Sequence, residues 1–322
     1  MKKKKLGNSG LELTTIGLGT WAMGGAGWQY AWGAQDDRDS IATIHRALEL
    51  GINWIDTAAV YGLGHSEEVL GRALGGRRAG VIIATKCGRT WEAGSDAIVA
   101  RLKAASVRRE LEASLRRLST DYIDLYQIHW PDPDSDIEDG WGEIAKAVKE
   151  GKVRYAGVSN FNVEQLKRIQ AIHPVVSLQP PYSMLRREVE KEVLPYCEAS
   201  GIGVVCYSPL QMGLLTGTFS KERVASLPRD DVRGRNPFFI EPSLTHNLQL
   251  VDKLRPIAAR KGKSVGELAI AWVLKRPEVT AAIVGGRRAA QVDELAGAGD
   301  WELTKGEIDE IDALLAEREA KR

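Results

Sequence analysis

The sequence predicts an α/β fold, a (β/α)8 TIM barrel, in a single domain spanning residues 1–322. Short apolar runs alternate strictly with amphipathic segments along the chain, and this alternation is typical of a parallel sheet with crossover helices. About eight such units fit into 322 residues, and a TIM barrel needs roughly 250 residues plus insertions. No linker or shift in composition divides the chain, so we predict one domain.

Eight apolar segments are the predicted strands. In chain order they are "TTIGLG", "INWID", "GVIIATK", "YIDLYQIHW", "VRYAGVSN", "VVSLQ", "IGVVCYS" and "VTAAIVGG". Each run is short and apolar, as expected of strands buried on both faces of a parallel sheet.

Helices are predicted between these strands from the 3.6-residue spacing of apolar side chains. The first, "RDSIATIHRALELG", places Ile41, Ile44 and Leu48 on one face and stops at Gly51. The second, "SEEVLGRALGG", has Ser66 as its candidate N-cap. The others are "VRRELEASLRRL", "IEDGWGEIAKAVKEG", "VEQLKRIQAI", "EKEVLPYCEASG", "VGELAIAWVLKRP", "AAQVDELAG" and "TKGEIDEIDALLAER".

One connection is too long for an ordinary barrel loop. Residues 208–242 are rich in Gly, Pro, Arg and Asp and show no clear periodicity. Loops of this length are usually lids or binding loops. We therefore predict that this segment covers a bound ligand.

Charge and composition exclude several classes of partner. The formal net charge is +1, which does not favour a nucleic acid or a membrane. No apolar stretch approaches the roughly 18 residues that span a bilayer. The three cysteines lack the spacing of a disulfide or zinc framework, and no histidines lie at metal-binding spacing. These features predict a cytoplasmic protein without a metal site.

Polar residues end six of the eight predicted strands. All strands of a TIM barrel point to one mouth, where active sites lie, so these side chains should meet there. They are Asp56, Lys86, His129, Ser159 with Asn160, Gln179, and Tyr207 with Ser208.

Asp56 and Lys86 come from neighbouring predicted strands and can form a buried ion pair. Such a pair offsets the cost of burying the Asp56 carboxylate. His129 ends the next strand, and Tyr61 lies on the loop just past Asp56. A lysine beside this phenol should lower its pKa from about 10 toward the working range. Tyr61 is therefore a candidate general acid for a carbonyl oxygen.

Six segments together resemble the aldo-keto reductase superfamily: "WIDTAAVYGLGHSEEVLG", "ATK", "DLYQIHWPD", "GVSNF", "CYSPLQMGLLTG" and "IVGGRRAAQVDE". The resemblance runs in order over nearly the whole chain, and "RGRNPFF" is similar to a bacterial branch with a long loop after strand seven. It implies hydride transfer from NADP(H) to an aldehyde or ketone. The family's catalytic tetrad falls on Asp56, Tyr61, Lys86 and His129.

The same resemblance implies a set of cofactor contacts. Ser159, Asn160 and Gln179 match residues that hold the nicotinamide carboxamide, and Tyr207 matches the aromatic residue that stacks on its ring. Positions near the pyrophosphate are Ser208, Leu210 and Gly213, and either Arg233 or Arg235 of the long loop could also reach the phosphates. Positions at the adenosine end are Gly285, Arg287, Gln291 and Glu294. Because Arg287 and Arg288 precede a helix N-terminus, where guanidinium groups and the helix dipole favour a phosphate, we predict NADPH over NADH.

Nine tryptophans are many for this length. Pockets are often lined by aromatic residues, so we predict that those near strand ends form the substrate pocket. The predicted pocket residues are Trp21, Trp28, Trp32, Trp91 and Trp130. Core packing is predicted instead for Trp54, Trp141 and Trp272.

Three other signals are interpreted as structural. "GLGTWA" matches a dinucleotide fingerprint, but "MGGAGW" follows it and cannot begin the helix that such a turn requires. Cys87 follows Lys86 and is either a reactive thiol or, as we favour, an inert residue. Asp124 alternates with apolar neighbours and is predicted to form a structural ion pair.

The leading functional hypothesis is therefore an NADPH-dependent carbonyl reductase acting on a small molecule such as a sugar or an aryl aldehyde. A second hypothesis is an NADPH-binding, redox-sensing regulatory subunit with little turnover, since such a subunit can retain the tetrad. A phosphate-binding barrel isomerase is a third, although it would not need Tyr61 beside Asp56 or the stacking Tyr207.

Overall fold

The computed structural model describes residues 1–92, 94–229 and 231–321. Eight parallel strands form a closed barrel in which each strand pairs with the next and the last pairs with the first. These strands are β1 (Ile16–Gly19), β2 (Trp54–Asp56), β3 (Ile82–Cys87), β4 (Ile123–Ile128), β5 (Val153–Ser159), β6 (Ser177–Gln179), β7 (Gly203–Cys206) and β8 (Val279–Gly285). The predicted TIM barrel is confirmed, with every predicted strand in its place.

The barrel is surrounded by helices. Within the described residues they are α1 (Asp37–Glu49), α2 (His65–Leu74), α3 (Ala104–Leu118), α4 (Ile137–Lys149), α5 (Val163–Gln170), α6 (Val193–Ala199), α7 (Lys221–Ala225), α8 (Ser243–Ala259), α9 (Val265–Leu274), α10 (Ala289–Ala296) and α11 (Lys305–Glu319). None of the described helices is long and apolar enough to cross a membrane.

Two local expectations have different outcomes. Ser66 is not the N-cap of α2, because the N-cap lies two residues earlier, at Gly64, which has a left-handed conformation. The Ser66 hydroxyl instead donates to the carbonyl oxygen of Thr20 at 3.1 Å. The fingerprint after β1 is followed by a short 3-10 turn, Trp21–Gly24, so its rejection as a Rossmann turn is confirmed.

Trp54 fills the interior of the barrel below the site. Its side chain is fully buried, as are those of Trp141 and Trp272, so the three predicted core tryptophans are confirmed. Gly17 on β1 makes room for it, since a Cβ atom there would lie 2.1 Å from the Trp54 ring. The indole of Trp54 donates to the carbonyl oxygen of Thr14 at 2.9 Å, which satisfies its buried N–H. The floor beneath the strand ends is thus filled and fixed.

The long segment 208–242 reaches across the barrel mouth to the loop that follows β1. The backbone N–H of Val232 donates to the carbonyl oxygen of Ala31 at 3.2 Å. The Arg235 guanidinium donates to the carbonyl oxygen of Gln29 at 3.0 Å. These two contacts hold the end of the long segment beside the loop that carries Trp28 and Trp32.

Asp124 and Cys87 are structural residues. Asp124 pairs with Arg78 at 2.6 Å and with Arg154 at 2.7 Å, which confirms the predicted ion pair. Cys87 is buried, and burial raises the pKa of its thiol well above the usual value. The thiol is therefore protonated, as expected of an inert residue.

Candidate active site

A buried lysine joins the ends of β2 and β3 to the loop that follows β2. Lys86 Nζ donates to Asp56 Oδ1 at 2.7 Å, to the carbonyl oxygen of Thr57 at 2.8 Å and to Tyr61 Oη at 3.3 Å. An ammonium group has three protons, and each has an acceptor here. Asp56 Oδ2 accepts a further hydrogen bond from Gln179 Nε2 at 2.8 Å. The ion pair is thus fully hydrogen-bonded inside the barrel.

The pKa of the Tyr61 phenol is shifted in the direction opposite to the one predicted from the sequence. Burial raises the pKa of Tyr61 well above its usual value, and the negative charge of Asp56 raises it further. The prediction that Lys86 lowers this pKa is wrong in this structure, because desolvation of the phenolate outweighs the ammonium. Tyr61 is consequently a neutral O–H donor with Lys86 behind it.

The imidazole of His129 lies edge-on to the Tyr61 ring, with 5.8 Å between the ring centroids. Burial lowers the pKa of His129 well below its usual value, and the charges of Lys86 and Arg89 lower it further. The ring is therefore neutral near pH 7 and offers one donor and one acceptor. It can hydrogen-bond a carbonyl oxygen without adding charge.

A cavity of about 1200 Å³ opens above these residues and runs toward the N-terminus of α10. Asp56, Tyr61 and His129 line it, and Lys86 lies behind its wall. All twelve residues predicted to bind the cofactor also line it: Ser159, Asn160, Gln179, Tyr207, Ser208, Leu210, Gly213, Arg233, Gly285, Arg287, Gln291 and Glu294. The cavity is thus shared by both predicted groups of residues.

Amide and hydroxyl groups are linked at the end of the cavity near Tyr61. Tyr207 Oη donates to Asn160 Oδ1 at 2.9 Å, and Asn160 Nδ2 donates to Ser159 Oγ at 2.9 Å. Ser159 Oγ in turn donates to the carbonyl oxygen of Gln179 at 2.8 Å. Neutral donors and acceptors beside an aromatic ring are suited to a carboxamide on a flat heterocycle, so this end fits a nicotinamide.

Two arginines line the opposite end. Arg287 donates to Gln35 Oε1 at 2.7 Å, to the Trp32 carbonyl oxygen at 3.3 Å and to the carbonyl oxygen of Ala34. Arg288 has no ion pair among the described residues. Guanidinium groups at the N-terminus of α10 fit a phosphate. The prediction that Arg287 and Arg288 provide a phosphate site stays a prediction, and Arg288 is the one of the two without hydrogen bonds to Gln35, Trp32 and Ala34.

Four of the five predicted pocket tryptophans line the cavity: Trp21, Trp28, Trp32 and Trp130. The Trp21 ring is stacked on Tyr61 with 6.2 Å between centroids. Trp91 is not among the residues that line the cavity, and its ring lies instead against Arg117, 5.9 Å from the guanidinium carbon. The prediction that Trp91 lines the pocket, made because it lies near the end of β3, is wrong, because the loop after β3 turns its side chain away from the cavity.

Sequence reasoning missed an ion pair at the Tyr61 end of the cavity. Arg89 and Asp132 both line the cavity, and their side chains pair at 2.8 Å. Each follows a polar strand end by three residues, Lys86 and His129 respectively. That position past a strand end was the available signal. The described residues contain no group of three or more His, Cys, Asp or Glu side chains placed to bind a metal ion.

A family model for the "Aldo/keto reductase family" matches residues 15–316. This chain belongs to the aldo/keto reductase family. Its members are oxidoreductases that act on carbonyl compounds, and the closed eight-strand barrel is consistent with that family.

Two curated aldo/keto reductases are similar over nearly the whole length. The aldo-keto reductase YhdN of Bacillus subtilis is 40% identical, and the alignment covers 98% of this chain and 94% of that protein. The NADH-specific methylglyoxal reductase of Escherichia coli is 35% identical, with coverage of 92% and 93%.

Two solved structures share the barrel. The glycerol dehydrogenase of Gluconobacter oxydans is 39% identical, with a TM-score of 0.89 and coverage of 98% of this chain and 95% of that one. An aldo-keto reductase from Bacillus halodurans in its holo form is 29% identical, with a TM-score of 0.80 and coverage of 98% and 96%.

Proposed function

We propose that residues 1–322 form one catalytic domain that reduces aldehydes and ketones to alcohols with NADPH, with Tyr61 as the proton donor. One observation carries the proposal. The neutral Tyr61 hydroxyl lies 3.3 Å from Lys86 Nζ in a cavity that also holds the imidazole of His129. A positioned neutral acid beside a cation is what protonation of a developing alkoxide requires.

A nicotinamide held in this cavity would supply a hydride to the carbonyl carbon. Tyr61 would give its proton to the carbonyl oxygen, which would complete the alcohol. Lys86 stabilises the phenolate that Tyr61 becomes, since its ammonium already donates to that oxygen. His129, being neutral, orients the carbonyl oxygen by a hydrogen bond.

Asp56 has a supporting role in this proposal. Its carboxylate fixes the Lys86 ammonium at 2.7 Å and keeps that buried group charged, because burial alone lowers the pKa of Lys86 and the Asp56 charge opposes this. Gln179 holds the second carboxylate oxygen in turn. The proton donor therefore rests on a fixed chain of three side chains.

Several residues are proposed to hold the cofactor. The amide and hydroxyl groups of Ser159, Asn160 and Gln179 hold the carboxamide, and Tyr207 stacks on the ring. The arginines at α10 hold the adenosine-end phosphate, which supports NADPH over NADH. We place the enzyme in the cytoplasm, since its three cysteines are free and buried, which fits a reducing compartment.

Turnover separates this function from the regulatory-subunit hypothesis. The purified protein is mixed with NADPH or NADH and a panel of short-chain aldehydes, aryl aldehydes and sugars, and nicotinamide absorbance is followed. We expect consumption of NADPH with an equal amount of alcohol formed. Tight NADPH binding without turnover across the panel, in either direction, would contradict the proposal.

A further inference from the structure

The substrate end of the cavity contains a cation that the proposed mechanism does not use. Arg89 lies two residues past β3, and its backbone is held in a short antiparallel ladder opposite Ala100. Its side chain is 20% exposed and lines the cavity together with His129 and Trp130. The guanidinium carbon is 6.0 Å from the centroid of the Trp130 ring. Arg89 is thus a positioned charge beside the proposed site of reduction.

Most of the hydrogen-bonding capacity of Arg89 is unused. A guanidinium has five N–H donors, and in the described part of the chain this one donates only to Asp132, at 2.8 Å. Asp132 is 58% exposed, and a pair with so exposed a partner contributes little. A second anion can therefore take the remaining donors, or replace Asp132, at small cost.

The rest of this end of the cavity presents few charges that would compete. Trp21, Trp28, Ile98 and Trp130 line the same cavity, and the Trp130 ring lies next to the Arg89 guanidinium. The deeper charges, Asp56 and Lys86, neutralise each other. Planar guanidinium groups in such apolar surroundings bind carboxylates and phosphates in two-point contacts.

We propose that Arg89 is a specificity-determining residue that selects short carbonyl substrates carrying an anionic group, a carboxylate or a phosphate, at the end remote from the carbonyl. The inference rests on the proposed reductase function. Tyr61 and His129 take the carbonyl end, Arg89 takes the anionic end, and Trp130 packs on the chain between them. Asp132 orients Arg89 and competes with the substrate anion for the guanidinium, so only an anion that binds Arg89 more tightly than Asp132 does displaces it.

The test uses matched substrates that differ in one charge. Succinic semialdehyde is compared with its neutral methyl ester, and glyceraldehyde 3-phosphate with glyceraldehyde, so the two pairs separate a carboxylate from a phosphate. We expect kcat/KM of the wild-type protein to favour the anion of at least one pair. The free energy of one charge-assisted hydrogen bond corresponds to a ratio of roughly 10 to 150 between the kcat/KM values of the anion and its neutral partner. This preference should fall as salt is added, because salt screens the charges.

Three variants identify the residue responsible. Arg89→Met should lose the preference for the anion, roughly 10- to 150-fold, and keep kcat/KM for the neutral partner. Asp132→Asn should increase the preference, since it removes the competing carboxylate. Arg101→Gln is the matched control: Arg101 directly follows the short strand that pairs with Arg89, forms an ion pair with Glu92 at the surface and does not line the cavity. It should behave as wild type.

The outcomes separate this inference from the function on which it rests. If the neutral ester and glyceraldehyde are not reduced by wild type, and neither is any anion, the reductase function itself fails. If the neutral substrates are reduced without any preference for their anions, only the role of Arg89 is overturned. It is also overturned if Arg89→Met lowers kcat/KM equally for both members of each pair, which would indicate a structural role.

Discussion

Lys86 Nζ lies 3.3 Å from Tyr61 Oη, and this hydrogen bond is the longest of the three that the ammonium donates. The two shorter bonds, to Asp56 and Thr57, fix the ammonium in the barrel wall, so it can stabilise charge on Tyr61 without moving. The neutral phenol and the buried cation together make an acid that costs little reorganisation when it loses its proton.

Removal of the Tyr61 hydroxyl should abolish proton donation and little else. Tyr61→Phe is expected to bind NADPH as wild type does, by fluorescence titration, and to lose roughly 10²- to 10⁴-fold in kcat for a reactive aldehyde. Tyr126→Phe is the matched control, since the Tyr126 hydroxyl is buried in the core beside Cys87 and does not line the cavity. Wild-type turnover by folded Tyr61→Phe would refute the proton-donor assignment.

Asp56→Asn should affect stability more than rate. An asparagine presents an N–H₂ group to one of two donors, Lys86 or Gln179, and removes the counter-charge of a buried lysine. We expect a loss of about 3–5 kcal/mol in the free energy of unfolding, with a smaller fall in kcat than Tyr61→Phe. Asp124→Asn, a buried carboxylate of another ion pair, should lower stability and leave kcat unchanged. An Asp56→Asn protein as stable as wild type would contradict this.

The two arginines before α10 should have separable effects on cofactor affinity. Arg288→Ala should lower the affinity for NADPH by roughly 10- to 150-fold and leave the affinity for NADH unchanged. The substitution removes a charged donor to the phosphate that only NADPH carries. Arg287→Ala should weaken both cofactors, because it also releases the carbonyl groups of Trp32 and Ala34. Calorimetric titration of both cofactors decides this. Equal affinities of wild type for NADPH and NADH would end the claim of NADPH preference.

The long segment 208–242 should become better protected when the cofactor binds. Arg233 lies inside it, bound to Asp231 at 2.6 Å and 4.9 Å from the Trp32 ring, where it faces the cavity. When NADPH is added, hydrogen exchange is expected to slow across 208–242 and to stay unchanged in α5, none of whose residues lines the cavity. Unchanged exchange across the segment would show that it is not a lid.

Glu110 should make stability depend on pH. Burial raises its pKa to about 7, while its oxygens accept from the Gly88 N–H and the Ser106 hydroxyl. The folded state therefore holds this proton where the unfolded state has lost it, and stability falls as pH rises from about 4.5 to about 7. Glu110→Gln should be more stable than wild type at pH 8, by up to about 3 kcal/mol, with a smaller difference at pH 5. Urea unfolding of both proteins at pH 5 and pH 8 tests this. The same difference in unfolding free energy between Glu110→Gln and wild type at the two pH values would contradict it.

The sequence by itself determined the barrel and the chemistry at its mouth. Strand and helix periodicities are local properties, and parallel topology places successive strand ends at one edge, so Asp56, Lys86 and His129 could be grouped from their positions alone. The residues predicted to bind the cofactor line one cavity for a related reason, since they lie at strand ends or in the segments that follow them.

Tertiary structure decided what depends on distant neighbours. The pKa of Tyr61 rises because desolvation is set by everything packed around the phenol, which no count of nearby charges reveals. Arg287 donates hydrogen bonds to the carbonyl oxygens of Trp32 and Ala34, about 250 residues earlier in the chain. The Trp91 side chain lies against Arg117 because a loop, unlike a strand, has no period that fixes side-chain direction. The pairing of Arg89 with Asp132 likewise arises only when the loops after β3 and β4 meet.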